Sequence, residues 1–181
     1  MKPRHVLSAR DSAIRPSEIV PPSRSRASVH TNKGVKIERE IVIDRPAPEL
    51  FAFWRKFDNL PRVMKHLESV ECLDPFRSRW RMCQSEGSVM EWEAEIINEH
   101  PNELIAWRTL AGSDVQHAGT VRFGPTADRR STAVKLTLEY EVESGLLKRM
   151  MARIFRAWPE HEIEEDLVRF KELMEGTARS V

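Results

Sequence analysis

Six runs in which apolar and polar residues alternate are packed into residues 69–143, and their spacing decides most of what this chain can fold into. The runs are Ser69 to Leu73, Arg77 to Gln84, Val89 to Asn98, Leu104 to Leu110, Gln116 to Phe123 and Thr132 to Glu143. They are parted by Asp74-Pro75, Glu86-Gly87, His100-Pro101-Asn102, Ala111-Gly112 and Gly124-Pro125. Spacers this short cannot hold a crossover helix, so each strand must turn back beside its predecessor in an antiparallel meander. A seventh alternating run, Val35 to Ile43, precedes them, with Val35, Ile37, Ile41 and Ile43 on one side of the pleat and Lys36, Glu38 and Glu40 on the other.

Side chains two apart share a face. Glu91, Glu93 and Glu95 therefore lie opposite Trp92, Ala94 and Ile96, while Arg108, Arg122 and Lys135 oppose Trp107, Val121, Phe123, Val134 and Leu136. One face of the sheet is thus expected in water, with acid and base rows paired across strands. The other is apolar and needs cover.

The cover comes from Ser144 to Gly176, which carries two apolar stripes at helical spacing. Leu146, Leu147, Met150, Met151, Ile154, Phe155 and Trp158 form the first; Ile163, Leu167, Phe170, Leu173 and Met174 form the second. On one continuous helix the stripes would point in roughly opposite directions, and Pro159 lies between them, so two helices are expected. The second opens at Pro159, gathers Glu160, Glu162, Glu164, Glu165 and Asp166 at its positive end, and stops at Gly176. The first, rich in methionine, is expected to act as a lid hinged at Arg156 to Pro159. After the first strand, Pro46 and Pro48 start a short helix with Leu50, Phe51 and Trp54 on one face, and Pro61 starts another over Arg62 to His66.

Residues 1–34 differ in kind. They hold Pro3, Pro16, Pro21 and Pro22, lack aromatic residues, and set seven bases against two acids, a charge of +5 within a chain whose total is +1. A disordered basic tail is expected there, with a folded domain over 35–178. The domain itself is mildly acidic, so no specific nucleic acid is expected as a partner. No run approaches the length of a membrane span, and the chain does not start like a secretory signal. With only Cys72 and Cys83, each expected as a small buried hydrophobe, a reducing cytoplasmic setting follows.

The order strand, two short helices, six strands and terminal helix resembles the helix-grip fold of the START-like, or SRPBCC, superfamily, and more narrowly its polyketide cyclase/dehydrase-like branch. The resemblance is carried by IDRPAPELFAFWRKFDNLPRVMKHLESVE at 43–71, EWEAEIINEHPNELIAWRTL at 91–110, GTVRF at 119–123 and HEIEEDLVRFKELMEG at 161–176. It implies an α+β fold, a curved antiparallel sheet of about seven strands wrapped around the C-terminal helix, with an elongated apolar cavity between them.

Alternation independently supplies a lining for such a cavity: Trp80, Met82, Trp92, Trp107, Phe123 and Tyr140 on inward faces, with Phe155 and Trp158 from the helical side. Each also reads as plain core, but together they suit a flat aromatic or acyl ligand. No phosphate loop, nucleophile elbow or metal-spaced histidine pair occurs, so neither cofactor nor metal is expected. His117, in phase with Gly119, Val121 and Phe123, and Tyr140, in phase with Val134, Leu136 and Leu138, are the polar groups that point inward.

Three functions fit. The protein binds or carries a hydrophobic small molecule as a monomer or weak homodimer. Alternatively, it is an aromatase/cyclase in which His117 moves a proton and Tyr140 donates to a carbonyl of a poly-β-keto substrate. In the third, the basic tail brings the protein to an anionic surface.

Overall fold

Antiparallel pairing runs unbroken across seven strands in the order β1-β7-β6-β5-β4-β3-β2. These are β1 (Val35–Ile43), β2 (Leu67–Cys72), β3 (Arg77–Cys83), β4 (Val89–His100), β5 (Leu104–Thr109), β6 (His117–Pro125) and β7 (Thr132–Tyr140). Between β1 and β2 lie helix α1 (Ala47–Arg55) and a 3-10 helix (Phe57–Arg62); helix α2 (Glu160–Glu175) follows the sheet. The architecture comes from a computed structural model, which describes residues 35–83, 89–111, 113, 116–127, 130–140 and 160–176. It is the helix-grip α+β fold. The lid helix expected at 145–157 and the basic tail lie outside the described residues.

The pleat is assigned as the alternation requires. Met90, Trp92 and Ala94 are buried, while Glu91 is exposed and Glu93 and Glu95 are half-buried on the other side. The acid row meets the bases of its neighbours: Arg79 reaches Glu93 at 2.9 Å and Glu71 at 3.3 Å, Arg108 reaches Glu95 at 2.7 Å, and Lys135 reaches Glu38 at 2.6 Å. The principal base row, Arg77, Arg79 and Arg81 on β3, stands in register opposite Glu95, Glu93 and Glu91. Exposed pairs of this kind are weak and screened, so Glu93→Gln is expected to cost under ~1 kcal/mol, measured by urea denaturation.

Cys72 and Cys83 are exposed, not buried. Period two explains Cys83, which falls in the outward phase of Arg77, Arg79 and Arg81; Cys72 ends the edge strand β2. At the far end of β4 the register shifts between Ile96 and Asn98, which turns Ile97 outward. The β4–β5 turn places Asn102 at φ 66°, a conformation asparagine tolerates better than most residues.

The second short helix differs from expectation. It is a 3-10 turn over Phe57–Arg62 with Pro61 inside it, not a helix over Arg62 to His66. At three residues per turn Phe57, Leu60 and Val63 fall in line, and all three are buried. This segment and α1 share the cover that the sequence assigned to the C-terminal helix alone. Leu50, Trp54 and Leu60 are fully enclosed, and Phe51 meets Phe123 edge-on at 5.9 Å.

Helix α2 begins at Glu160, directly after Pro159, and ends at Gly176, whose φ of 72° is the left-handed geometry expected of its stop. Ile163, Leu167 and Phe170 are buried, with Phe170 against Phe53 at 5.1 Å and Trp54 at 5.8 Å. Its far end is tied to the end of β1 and the residues just after it. Arg45 Nε donates to Met174 O at 2.8 Å, and Lys171 Nζ donates to Val42 O at 2.8 Å. Arg45 thus supplies a cation and a donor to the carbonyls that a helix C-terminus leaves open.

Candidate functional site

Three tryptophans from adjacent strands stack inside the sheet. Trp80 on β3 lies between Trp92 on β4, at 6.1 Å and 18° between planes, and Trp107 on β5, at 6.3 Å and 13°. Phe57 closes on Trp80 and Trp107 at 5.3 and 5.4 Å. The stack is possible because Gly119 stands opposite Trp107 on β6: a Cβ there would lie 2.2 Å from Trp107 Cζ2.

His117 opens β6 at one end of the stack, edge-on to Trp92 at 5.6 Å. Its main chain is fixed by Thr109, whose Oγ1 accepts from His117 N at 3.1 Å. Tyr140 is its register partner on β7, with ring centroids 5.7 Å apart. A cavity of about 10 Å³, the scale of one water, is lined by Met64, Trp80, Trp92, Trp107, His117, Leu136 and Leu138.

Of the inward residues named from the sequence, Trp80, Trp92, Trp107 and His117 thus meet at this cavity. Tyr140 stands beside His117, buried. Met82 is core, and Phe123 packs under α1 on Phe51. Phe155 and Trp158 lie outside the described residues. Met64, missed as a lining residue, comes from the loop after the 3-10 helix, where Met64 N donates to Leu60 O at 2.8 Å.

Polar satisfaction within the stack is uneven. Trp80 Nε1 donates to Ser78 Oγ at 2.9 Å. Among the described residues, Trp92 Nε1, Trp107 Nε1 and both ring nitrogens of His117 are buried without a hydrogen-bond partner; Trp54 Nε1, in the core under α1, is the same. Burial pushes the His117 pKa down to about 4, so at neutral pH its imidazole is uncharged, with one N–H and one open nitrogen. Burial raises the Tyr140 phenol well above its ordinary range, so it keeps its proton.

A second polar group lies where α2 meets the loop before β2. His66 Nε2 is 3.6 Å from Asp166 Oδ2, and Nδ1 is 3.8 Å from Glu162 Oε2. Arg169 pairs with Asp166 and donates from Nε to Val63 O at 2.9 Å. Burial first, then the Arg169 charge, lowers the His66 pKa to about 4. With that pKa the imidazole is uncharged at neutral pH. Asp166, expected among the acids at the positive end of the helix, is instead buried. Its place in the 163, 167, 170 stripe was the signal that it is buried.

This geometry has counterparts. The family model described as polyketide cyclase / dehydrase and lipid transport matches residues 43–168. The chain belongs to that family, and is a ligand-binding SRPBCC protein with the helix-grip fold. Among its relatives, a Deinococcus radiodurans protein of known crystal structure is 34% identical, covering 80% of this chain and 100% of its own, with a TM-score of 0.64. A 17.2 kDa Streptomyces lincolnensis protein is 26% identical over 140 residues, 77% of this chain and 89% of its own. The Zhui aromatase/cyclase from a Streptomyces species shares the fold at a TM-score of 0.66 and 19% identity, covering 81% of this chain and 97% of its own. No helix among the described residues is long and apolar enough to cross a membrane.

Proposed function

We propose that this protein binds or carries a hydrophobic small molecule, aromatic, polyketide-like or lipid, at the tryptophan stack, with His117 as its polar contact. The observation that carries the reading is the meeting of three stacked indoles and a buried, unbonded imidazole at one cavity. Native mass spectrometry of the purified full chain tests it. A stoichiometric co-purifying small molecule, lost in Trp92→Ala, is the expected result; protein of bare mass that takes up no added aromatic or lipid overturns it.

The second reading is an aromatase/cyclase. It is favoured by the His117–Tyr140 pairing, a neutral base beside a retained phenolic proton. On this reading His117→Leu and Tyr140→Phe each abolish cyclisation of a poly-β-keto chain while ligand uptake persists. In both readings residues 35–178 are the working domain, in the cytoplasm, as a monomer or weak homodimer, and residues 1–34 are a dispensable extension. Deleting residues 1–32 is expected to leave the thermal midpoint within about a degree of the full chain, because a segment without apolar periodicity adds little buried area.

A further inference from the structure

Of the seven described residues that line the tryptophan cavity, six are on strands and Met64 alone is not. The space they enclose is about 10 Å³, so a ligand seated among these side chains displaces at least one of them. The six come from β3, β4, β5, β6 and β7, neighbours in one hydrogen-bonded sheet. Their main chain is fixed by the ladder, and the indoles among them are stacked on one another, so that part of the wall is rigid. Met64 belongs instead to residues 63–66, the link between the 3-10 helix and β2, and its unbranched thioether adapts easily. The link runs into an edge strand that pairs with β3 alone and whose register shifts between Leu67 and Ser69.

We infer that the 63–66 link is a movable wall of the tryptophan cavity, held shut by Arg169 of α2, and that ligand enters the stack by displacing Met64. This inference rests on the pocket reading and adds to it the point of entry. Arg169 Nε donates to Val63 O at 2.9 Å, and the same guanidinium pairs with buried Asp166. A charged donor binds a carbonyl more strongly than a neutral one, which makes this the firmest tie on the link. Asp166 and Glu162 flank the His66 ring on the same side, and Cys83 N donates to His66 O at 3.2 Å from the sheet side. The helix can serve as a fixed post because its far end is braced by Arg45 on Met174 O and Lys171 on Val42 O. Opening the wall therefore parts the link from α2 while the ladder beside the tryptophans stays paired.

The test reads the wall first without any ligand. Met64 and Met82 are both buried, at 4% and 1% exposed, but Met82 is on β3 within the sheet. In the full chain under dilute hydrogen peroxide, with each sulfoxide followed by mass spectrometry, Met64 is expected to oxidise at least ~10-fold faster than Met82. Arg169→Lys keeps a cation beside Asp166 but loses the planar fork that serves Val63 O and the carboxylate together. It should speed Met64 oxidation by a further ~10-fold and leave Met82 unchanged, whereas general loosening would speed both. Equal rates for the two methionines in the parent chain, which needs no variant to fold, overturn the inference; so does a variant in which both accelerate. Naphthalene and palmitate, followed by stopped-flow tryptophan emission, then read entry, which should be faster in Arg169→Lys by a similar factor. Probes that bind but enter both forms at the same rate overturn the inference and leave the pocket reading standing. Failure of both probes to bind either form overturns both.

Discussion

Between pH 6.5 and 4.5 the protein is expected to lose several kcal/mol of stability, because two histidines are buried uncharged. His66 and His117 both have pKa values lowered from 6.5 to about 4, by burial in each case and by Arg169 at His66. A histidine whose pKa is lower in the fold than in the unfolded chain binds its proton preferentially when unfolded. Its contribution is therefore fully present above pH 6.5 and drains away as pH falls toward 4. A gap of this size is worth roughly 3 kcal/mol for each histidine, a large share of the ~5–15 kcal/mol that holds a typical domain. Carboxylates such as Glu38 and Asp74, whose pKa values are lowered by Lys135 and by Arg77, lose their contribution below about 4.5, so the window above that point isolates the imidazoles. Urea midpoints taken from pH 7.5 to 4.5 should fall steeply, and His117→Leu should flatten the slope. A level profile would show that neither ring is held neutral.

Gly119→Ala is expected to be as damaging as a large core truncation. The added methyl would sit 2.2 Å from Cζ2 and 2.4 Å from Cε2 of Trp107, and these are ring atoms that cannot bend aside. Trp107 has no room to retreat, since Trp80 stacks on it and Phe57 closes at 5.4 Å. Overpacking of this kind costs about 3 kcal/mol, comparable with the ~3–5 kcal/mol expected for Trp107→Ala. The two should not add. In Gly119→Ala/Trp107→Ala the methyl enters space the indole has left, so the double variant should be more stable than the sum of the single losses predicts. Strict additivity, or a Gly119→Ala variant as stable as the parent, would mean that the indole does not rest on this glycine.

The architecture was largely legible because its signals are periodic. Two-residue alternation placed Trp92 inward and Glu93 outward, and Gly176 announced the end of α2 through a backbone conformation few other residues accept. What alternation cannot reveal is which elements share a face of the core. Trp54 and Phe57 cover the sheet jointly with α2, and this follows from the path between β1 and β2, which no local pattern records. The same limit applies to the site. His117 and the inward tryptophans were readable one strand at a time, but their mutual stacking depends on cross-strand register and on Gly119. His66 and Asp166 escaped because one is in a loop and the other lies among four acidic neighbours in sequence, where only its phase marks it as interior.

The position of β1 has a consequence for how the molecule comes into being. Among the described strands β1 comes earliest in sequence, yet it pairs with β7, where Val35 is the register partner of Tyr140, and its end is tied to α2 through Lys171 on Val42 O and Arg45 on Met174 O. Among the described residues its strand partner lies some ninety positions later, so during translation β1 and the apolar face of α1 must wait for β7 and α2 to leave the ribosome. Folding dominated by such distant pairings is slow, and the waiting chain exposes strand edges that invite association. The later elements therefore govern when β1 becomes safe, and truncations that remove α2 should appear in cells as aggregates rather than as weakened binders.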